Sequence, residues 1–215
     1  MISKPKINRW IIGNTKFASS NQRIGILGGS FNPSHDGHIN ISEEALKKLN
    51  LDFIWWVVSP RNPLKQYDVL FDFKKRTSSA KNQSKTKKII INDIEQRAGI
   101  VYTVGTVEYL RKRYPNTKFV WIMGADNLRD FHLWMDWEKL IREIPIAIID
   151  RPRSSLDVSS TIFANKYKKY RIDENDATSI TKSETPCWVF IHNKRNFNSS
   201  TEIRKNLNIH IQNDR

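Results

Sequence analysis

The chain has a single cysteine, Cys187, in 215 residues. An internal disulfide is therefore excluded, and the composition suits a reducing compartment, so a cytoplasmic protein is expected. No apolar run approaches the roughly 20 residues of a membrane-spanning helix, and no membrane partner is expected. Two nucleotide-binding signatures are also missing. No GxGxxG follows the first strand, which argues against a dinucleotide-dependent dehydrogenase, and no P-loop occurs anywhere. There is no internal repeat and no linker between two cores. Acidic residues are in short supply, 22 against 36 Lys and Arg, for a net charge of +14. Residues 1–22 carry Lys4, Lys6, Arg9 and Lys16 and no acid at all. Their strongly apolar stretch, Trp10-Ile11-Ile12, is too short for a secretory signal, and the segment reads as an N-terminal extension.

What is present fits one α/β domain with a sizeable core, over residues 23–207, followed by a tail at 208–215. Apolar runs alternate with helical patterns, which predicts a doubly wound parallel sheet with helices on both faces. Strands are expected at Arg23–Leu27, Phe53–Val58, Ile89–Ile91, Phe119–Met123, Ile146–Ile149 and Trp188–Ile191. Helices are expected at Ile39–Asn50, Asp68–Lys81, Thr103–Tyr114 and Trp137–Glu143, with a last one beginning at Ser199. Residues 154–186 are polar and irregular and read as an insertion or mobile subregion. The basic charge peaks at Lys74, Lys75, Arg76, Lys81, Lys85, Lys87 and Lys88. No DNA- or RNA-binding motif accompanies it, so a nucleic acid is not expected as the main partner. A solvated basic face, or attraction for a small polyanion, accounts for it equally.

The chemistry concentrates at residues 28–38, GGSFNPSHDGH, between the first strand and the first helix. In an open α/β sheet, ligands bind at such turns. Gly28 and Gly29 permit a sharp turn and close approach to the backbone, and Ser30 and Phe31 continue it. The following helix N-terminus offers amides and a positive dipole end to phosphate. His35 and His38, three apart, share a face if the helix starts here. Their N–H groups suit phosphoryl oxygens, although capping, packing, or half a metal site would use the same residues. No Cys or acidic residue stands nearby at a zinc-like spacing.

Near the other end, Ser199-Ser200-Thr201-Glu202-Ile203-Arg204 opens a helix. Hydroxyls and amides there could meet an anion, with the Arg204 fork one turn on, or the segment could be a plain capping box. Asp126, after the fourth strand, suits ribose hydroxyls or an N-cap. Trp134 offers a flat face to a ring or to the core. Thr103 could cap its helix, whose amides would suit a carboxylate.

GGSFNPSHDGH resembles the signature of the nucleotidyltransferases that carry an HxGH motif on a Rossmann-like fold, and Ser199–Arg204 is similar to their SSTxxR-type motif, with Asn198 standing where an aliphatic residue is usual. Three further segments resemble nicotinate mononucleotide adenylyltransferases: Tyr102-Thr103-x-x-Thr106, Gly124-Ala125-Asp126-Asn127-Leu128, and Trp134 with Trp137. The resemblance covers about residues 23–151 and 188–207. It implies that Gly28, Gly29, Ser30, Phe31, His35, His38, Ser199, Ser200 and Arg204 bind ATP, with His35, His38 and Arg204 acting on the reaction. It implies an acceptor-nucleotide site at Lys65, Thr103, Asp126 and Trp134, with Lys65 in a shorter loop than is usual and Arg151 a candidate facing the nucleotide. Mg²⁺ would be held by phosphates rather than by protein ligands.

The expected reaction joins nicotinate mononucleotide to the AMP part of ATP, giving deamido-NAD and pyrophosphate. Two alternatives remain at this point. Pantetheine-phosphate adenylyltransferases share both end motifs, though their chains are shorter and Trp134 and GADNL argue against them. A basic RNA-binding protein on a degenerate scaffold is the other, against which both phosphate motifs are intact. The ring preference, nicotinate or nicotinamide, and the oligomeric state, a homo-oligomer included, are left open.

Overall fold

A computed structural model describes residues 21–61, 70–150 and 158–193. Seven strands form one wholly parallel sheet. They are β1 (Arg23–Gly29), β2 (Phe53–Val58), β3 (Ile89–Asn92), β4 (Lys118–Gly124), β5 (Ile146–Ile149), β6 (Arg171–Ile172) and β7 (Trp188–Ile191), in the spatial order β3-β2-β1-β4-β5-β7-β6. The near-continuous burial of β2, β4, β5 and β7 explains why these runs read as apolar throughout: both faces are covered. Helices α1 (Asp36–Lys48), with its C-cap Leu49, and α2 (Phe73–Gln83) pack Ile41, Ala45, Leu49 and Ala80 on one face. Helices α3 (Ile94–Ala98), α4 (Thr103–Arg113), α5 (Trp137–Glu143) and α6 (Ile162–Lys166) pack Ile94, Val107, Leu110, Leu140, Ile141 and Phe163 on the other.

The chain order reverses between β1 and β4, and the crevice at the C-terminal ends of these two strands is the topological switch point. Leu27 pairs with Ile122, so Gly29 and Gly124, which end the two strands, finish at the same level.

Several sequence expectations are corrected. Helix α2 starts at Phe73, capped by the Asp72 side chain, not at Asp68. Helix α3, a single short turn in a polar stretch, was not anticipated. The described part of 154–186 is not irregular. It contributes α6, the edge strand β6 and 3₁₀ turns, and it buries Phe163, Tyr167, Ala177 and Ile180. Arg76 does not belong to a solvated basic face either, because it is 2% exposed.

Candidate active site

The turn from β1 into α1 is built by its own side chains. Gly28 is required because a Cβ there would lie 2.6 Å from the ring of Trp121, itself buried on β4. Phe31 adopts a left-handed backbone, φ 46°, which is unfavourable for a bulky residue and of the kind that clusters at functional sites. Its ring is buried and stacked on Trp56 at 5.0 Å, and the His38 ring lies 4.7 Å away. Packing against β2 thus holds the strained residue and, through it, one histidine.

Helix α1 begins three residues earlier than its apolar pattern suggests, because His35 and His38 cap it. His35 Nδ1 accepts the Gly37 N–H at 3.0 Å, and His38 Nδ1 accepts the His35 N–H at 3.2 Å. The rings lie 4.0 Å apart. A ring whose Nδ1 accepts a hydrogen bond carries its proton on Nε2. Both histidines are therefore set as Nε2–H donors, a form that suits phosphate oxygens. Of the alternatives the sequence left open, the structure shows the capping one. The first turn is anchored to the sheet: Trp56 Nε1 donates to Ser42 Oγ, which donates to the His38 carbonyl, each at 2.8 Å.

Across the switch point, Gly124 leads into a 3₁₀ turn, Ala125–Asn127, that presents Asp126 exposed to solvent. Asp126 is not an N-cap; Gly124 holds that place. Trp134 is half-buried and meets Trp121 and Phe131 edge-on at 6.3 and 5.2 Å. Thr103 is the first residue of α4 rather than its cap: the cap is Tyr102, whose side chain makes no capping bond. Thr106 turns inward and donates from Oγ1 to Glu95 Oε1 at 2.7 Å. Glu95 is buried, and that burial pushes its carboxyl up to about 7 despite the opposing effect of the Thr106 bond.

His35, His38, Gly28, Gly29, Ser30 and Phe31 thus form one turn, with Asp126 at the neighbouring strand end. Lys65, Arg151, Ser199, Ser200 and Arg204 lie outside the described residues. Sequence reasoning passed over Glu95 and counted Arg76 only in the basic charge peak. The guanidinium of Arg76 reaches the Ser30, Ser59, Pro60 and Phe71 carbonyls at 2.7–2.9 Å. Its only sequence signal is an arginine on the apolar side of its helix, four residues before Ala80.

A family model for cytidylyltransferase-like proteins matches residues 26–206. A relative in Rhizobium meliloti, named a probable nicotinate-nucleotide adenylyltransferase, is 42% identical over 181 residues, 84% of this chain and 96% of that protein. One of the same name in Agrobacterium fabrum is 42% identical over 183 residues, 85% of this chain and 98% of that one. The solved nicotinic acid mononucleotide adenylyltransferase of Plasmodium falciparum, complexed with NaAD, superposes with a TM-score of 0.65 at 25% identity. It covers 86% of this chain, which covers 83% of it. With its histidine-capped turn at the switch point of a parallel sheet, this chain belongs to the cytidylyltransferase-like family of nucleotidyltransferases, among relatives named nicotinate-nucleotide adenylyltransferases.

Proposed function

We propose that the protein joins the phosphate of nicotinate mononucleotide to the AMP portion of ATP, producing deamido-NAD and pyrophosphate in NAD biosynthesis. The observation that carries the chemistry is the pair of histidines whose Nδ1 atoms are committed to backbone amides at the start of α1. Their Nε2–H groups and the helix amides form a donor set aimed at polyphosphate. The substrate assignment follows the relatives' names and the Thr103, Asp126 and Trp134 segments.

The acceptor's phosphate oxygen is already a nucleophile. It attacks the α-phosphorus, the bond from that phosphorus to the bridging oxygen breaks, and pyrophosphate leaves with the electron pair. No covalent enzyme intermediate is needed, so catalysis reduces to positioning and charge stabilisation. His35 and His38 stabilise charge on the triphosphate, and Ser199, Ser200 and Arg204 hold the leaving side. Asp126 binds ribose hydroxyls, Trp134 stacks on the pyridine ring, and Thr103 with the α4 amides receives the ring carboxylate. Lys65 meets the acceptor phosphate. Mg²⁺ bound with ATP would be held by phosphate oxygens rather than by protein ligands and would supply charge neutralisation there.

The test is pyrophosphate release from ATP and Mg²⁺ with nicotinate mononucleotide, nicotinamide mononucleotide or phosphopantetheine. Release should be strongest with nicotinate mononucleotide. Release with phosphopantetheine alone, or no release with any of the three acceptors, overturns the reading.

A further inference from the structure

Glu95 is a buried acid that the proposed chemistry does not use. It is 5% exposed, and among the described residues its carboxyl meets one hydrogen-bond donor, the hydroxyl of the fully buried Thr106, at 2.7 Å. No Lys or Arg among those residues pairs with it, and burial is what holds its proton up to about 7. A carboxyl in such a place costs stability, and an acid perturbed by burial beside a site is a candidate for a functional role.

The backbone of the same residue holds the other end of the connection to α4. The Glu95 carbonyl accepts the N–H groups of Gly99 and Ile100, the second at 2.9 Å. Gly99 closes α3 in the left-handed conformation, φ 66°, which glycine adopts without strain. Residues 99–102 therefore start from the backbone of Glu95 and enter a helix that its side chain holds. Ile94 and Val107, the sequence neighbours of the bonded pair, lie in one buried apolar cluster. A hydrogen bond in such surroundings is stronger, and its loss costs more, than one in water.

Thr106 lies one turn inside α4, behind Thr103. The cap, Tyr102, is exposed and makes no side-chain capping bond, and no acidic residue stands in the first turn. No acid of this turn competes with an anion for the positive end of the helix.

We propose that Glu95 is a positioning residue for the acceptor: through Thr106 it fixes the first turn of α4, and with it the recognition of the ring carboxylate of nicotinate mononucleotide. It touches neither substrate. The proposal rests on the site reading given above, which brings that carboxylate to Thr103 and the α4 amides. A carboxylate needs donors at set places for both of its oxygens, whereas a carboxamide offers one acceptor and an NH₂ group. A displaced first turn therefore weakens nicotinate more than nicotinamide, and leaves ATP aside.

Variants of the full chain test it. Thr106→Val removes the donor, and Glu95→Gln keeps an acceptor for Thr106. In Thr106→Val the KM for nicotinate mononucleotide should rise about 10-fold, and the preference over nicotinamide mononucleotide should fall by a similar factor, with near-UV circular dichroism retained. The KM for ATP and kcat should stay within about 2-fold of wild type, and Glu95→Gln should keep the acceptor constant within the same range. General loosening of the fold would affect both substrates alike. Hydrogen exchange of the unliganded proteins is the second readout: residues 103–110 should exchange faster in Thr106→Val and not in Glu95→Gln. A folded Thr106→Val protein with the acceptor KM unchanged, with both KM values raised together, or with exchange in α4 unchanged overturns the proposal. Should Thr106→Val fail to fold, Glu95→Asp, which shortens the acid by one methylene, takes its place with the same readouts. Pyrophosphate release by the wild type separates the two failures. Where it occurs with nicotinate mononucleotide and the variants do not follow, this proposal alone falls; where it does not occur, the site reading falls and the proposal with it.

Discussion

His38 does two jobs with one ring, Nδ1 capping α1 and a face packing on Phe31, and the proposed function gives it a third at the triphosphate. Removing the ring should hurt the transition state more than the bound nucleotide. His38→Ala is expected to lower kcat by about 100-fold while the KM for ATP changes little, and an unchanged kcat removes His38 from the chemistry. The cap contributes separately, costing about 1 kcal/mol in urea unfolding. Gly28 tests the turn differently. Its absent Cβ makes room for a buried indole that cannot swing away, so Gly28→Ala should destabilise by about 1–3 kcal/mol, measurable by denaturant titration. The glycines and histidines were legible in the sequence because their spacing after a strand has few physical meanings. Arg76 and Glu95 were not, since a charged residue in a charged stretch gives no sign that tertiary packing will bury it.

Among the elements, the strands were the most legible, because full burial leaves a continuous apolar run such as Phe53–Val58. Helix starts were less so. The apolar pattern of α1 begins at Ile39, while its first residues, Asp36, Gly37 and His38, carry no apolar signal. Helix α3, at five residues, is too short to show a period. It nevertheless sets Glu95 against α4. The folded protein holds the Glu95 proton up to about pH 7, against an ordinary value of 4.5. The stabilising contribution of the protonated form is complete below 4.5 and is lost as pH rises through 7. The loss amounts to at most about 3 kcal/mol. Glu95→Gln keeps an acceptor for Thr106 and should flatten this dependence, becoming more stable than wild type at pH 8 and no more stable at pH 4.5. Urea midpoints across that range check it; parallel curves for the two proteins would contradict the assignment.

At the scale of the molecule, the two-faced sheet was legible, and the weight of residues 158–186 in it was not. Their polar composition hides a few large anchors spaced too irregularly to form a stripe. Phe163 is fully buried, 5.1 Å from both Phe131 and Trp188. A detachable subregion would tolerate its loss, whereas Phe163→Ala should cost about 3–5 kcal/mol and lower the melting temperature of the whole chain in one transition. A separate early transition with the main one unmoved would mean that the segment unfolds by itself.

The strand order has a consequence for synthesis on the ribosome. The interior strand β1 emerges before the other six. Strand β2 and then β3 extend the sheet on one side, and β4 and β5 extend it on the other, each meeting an edge that already exists. Strand β6 breaks the sequence: it is made before β7 yet, among the described residues, pairs only with β7, so its two residues wait for that neighbour. The sheet is thus laid down outward from the nucleotide turn, and its last edge closes backwards, late and locally.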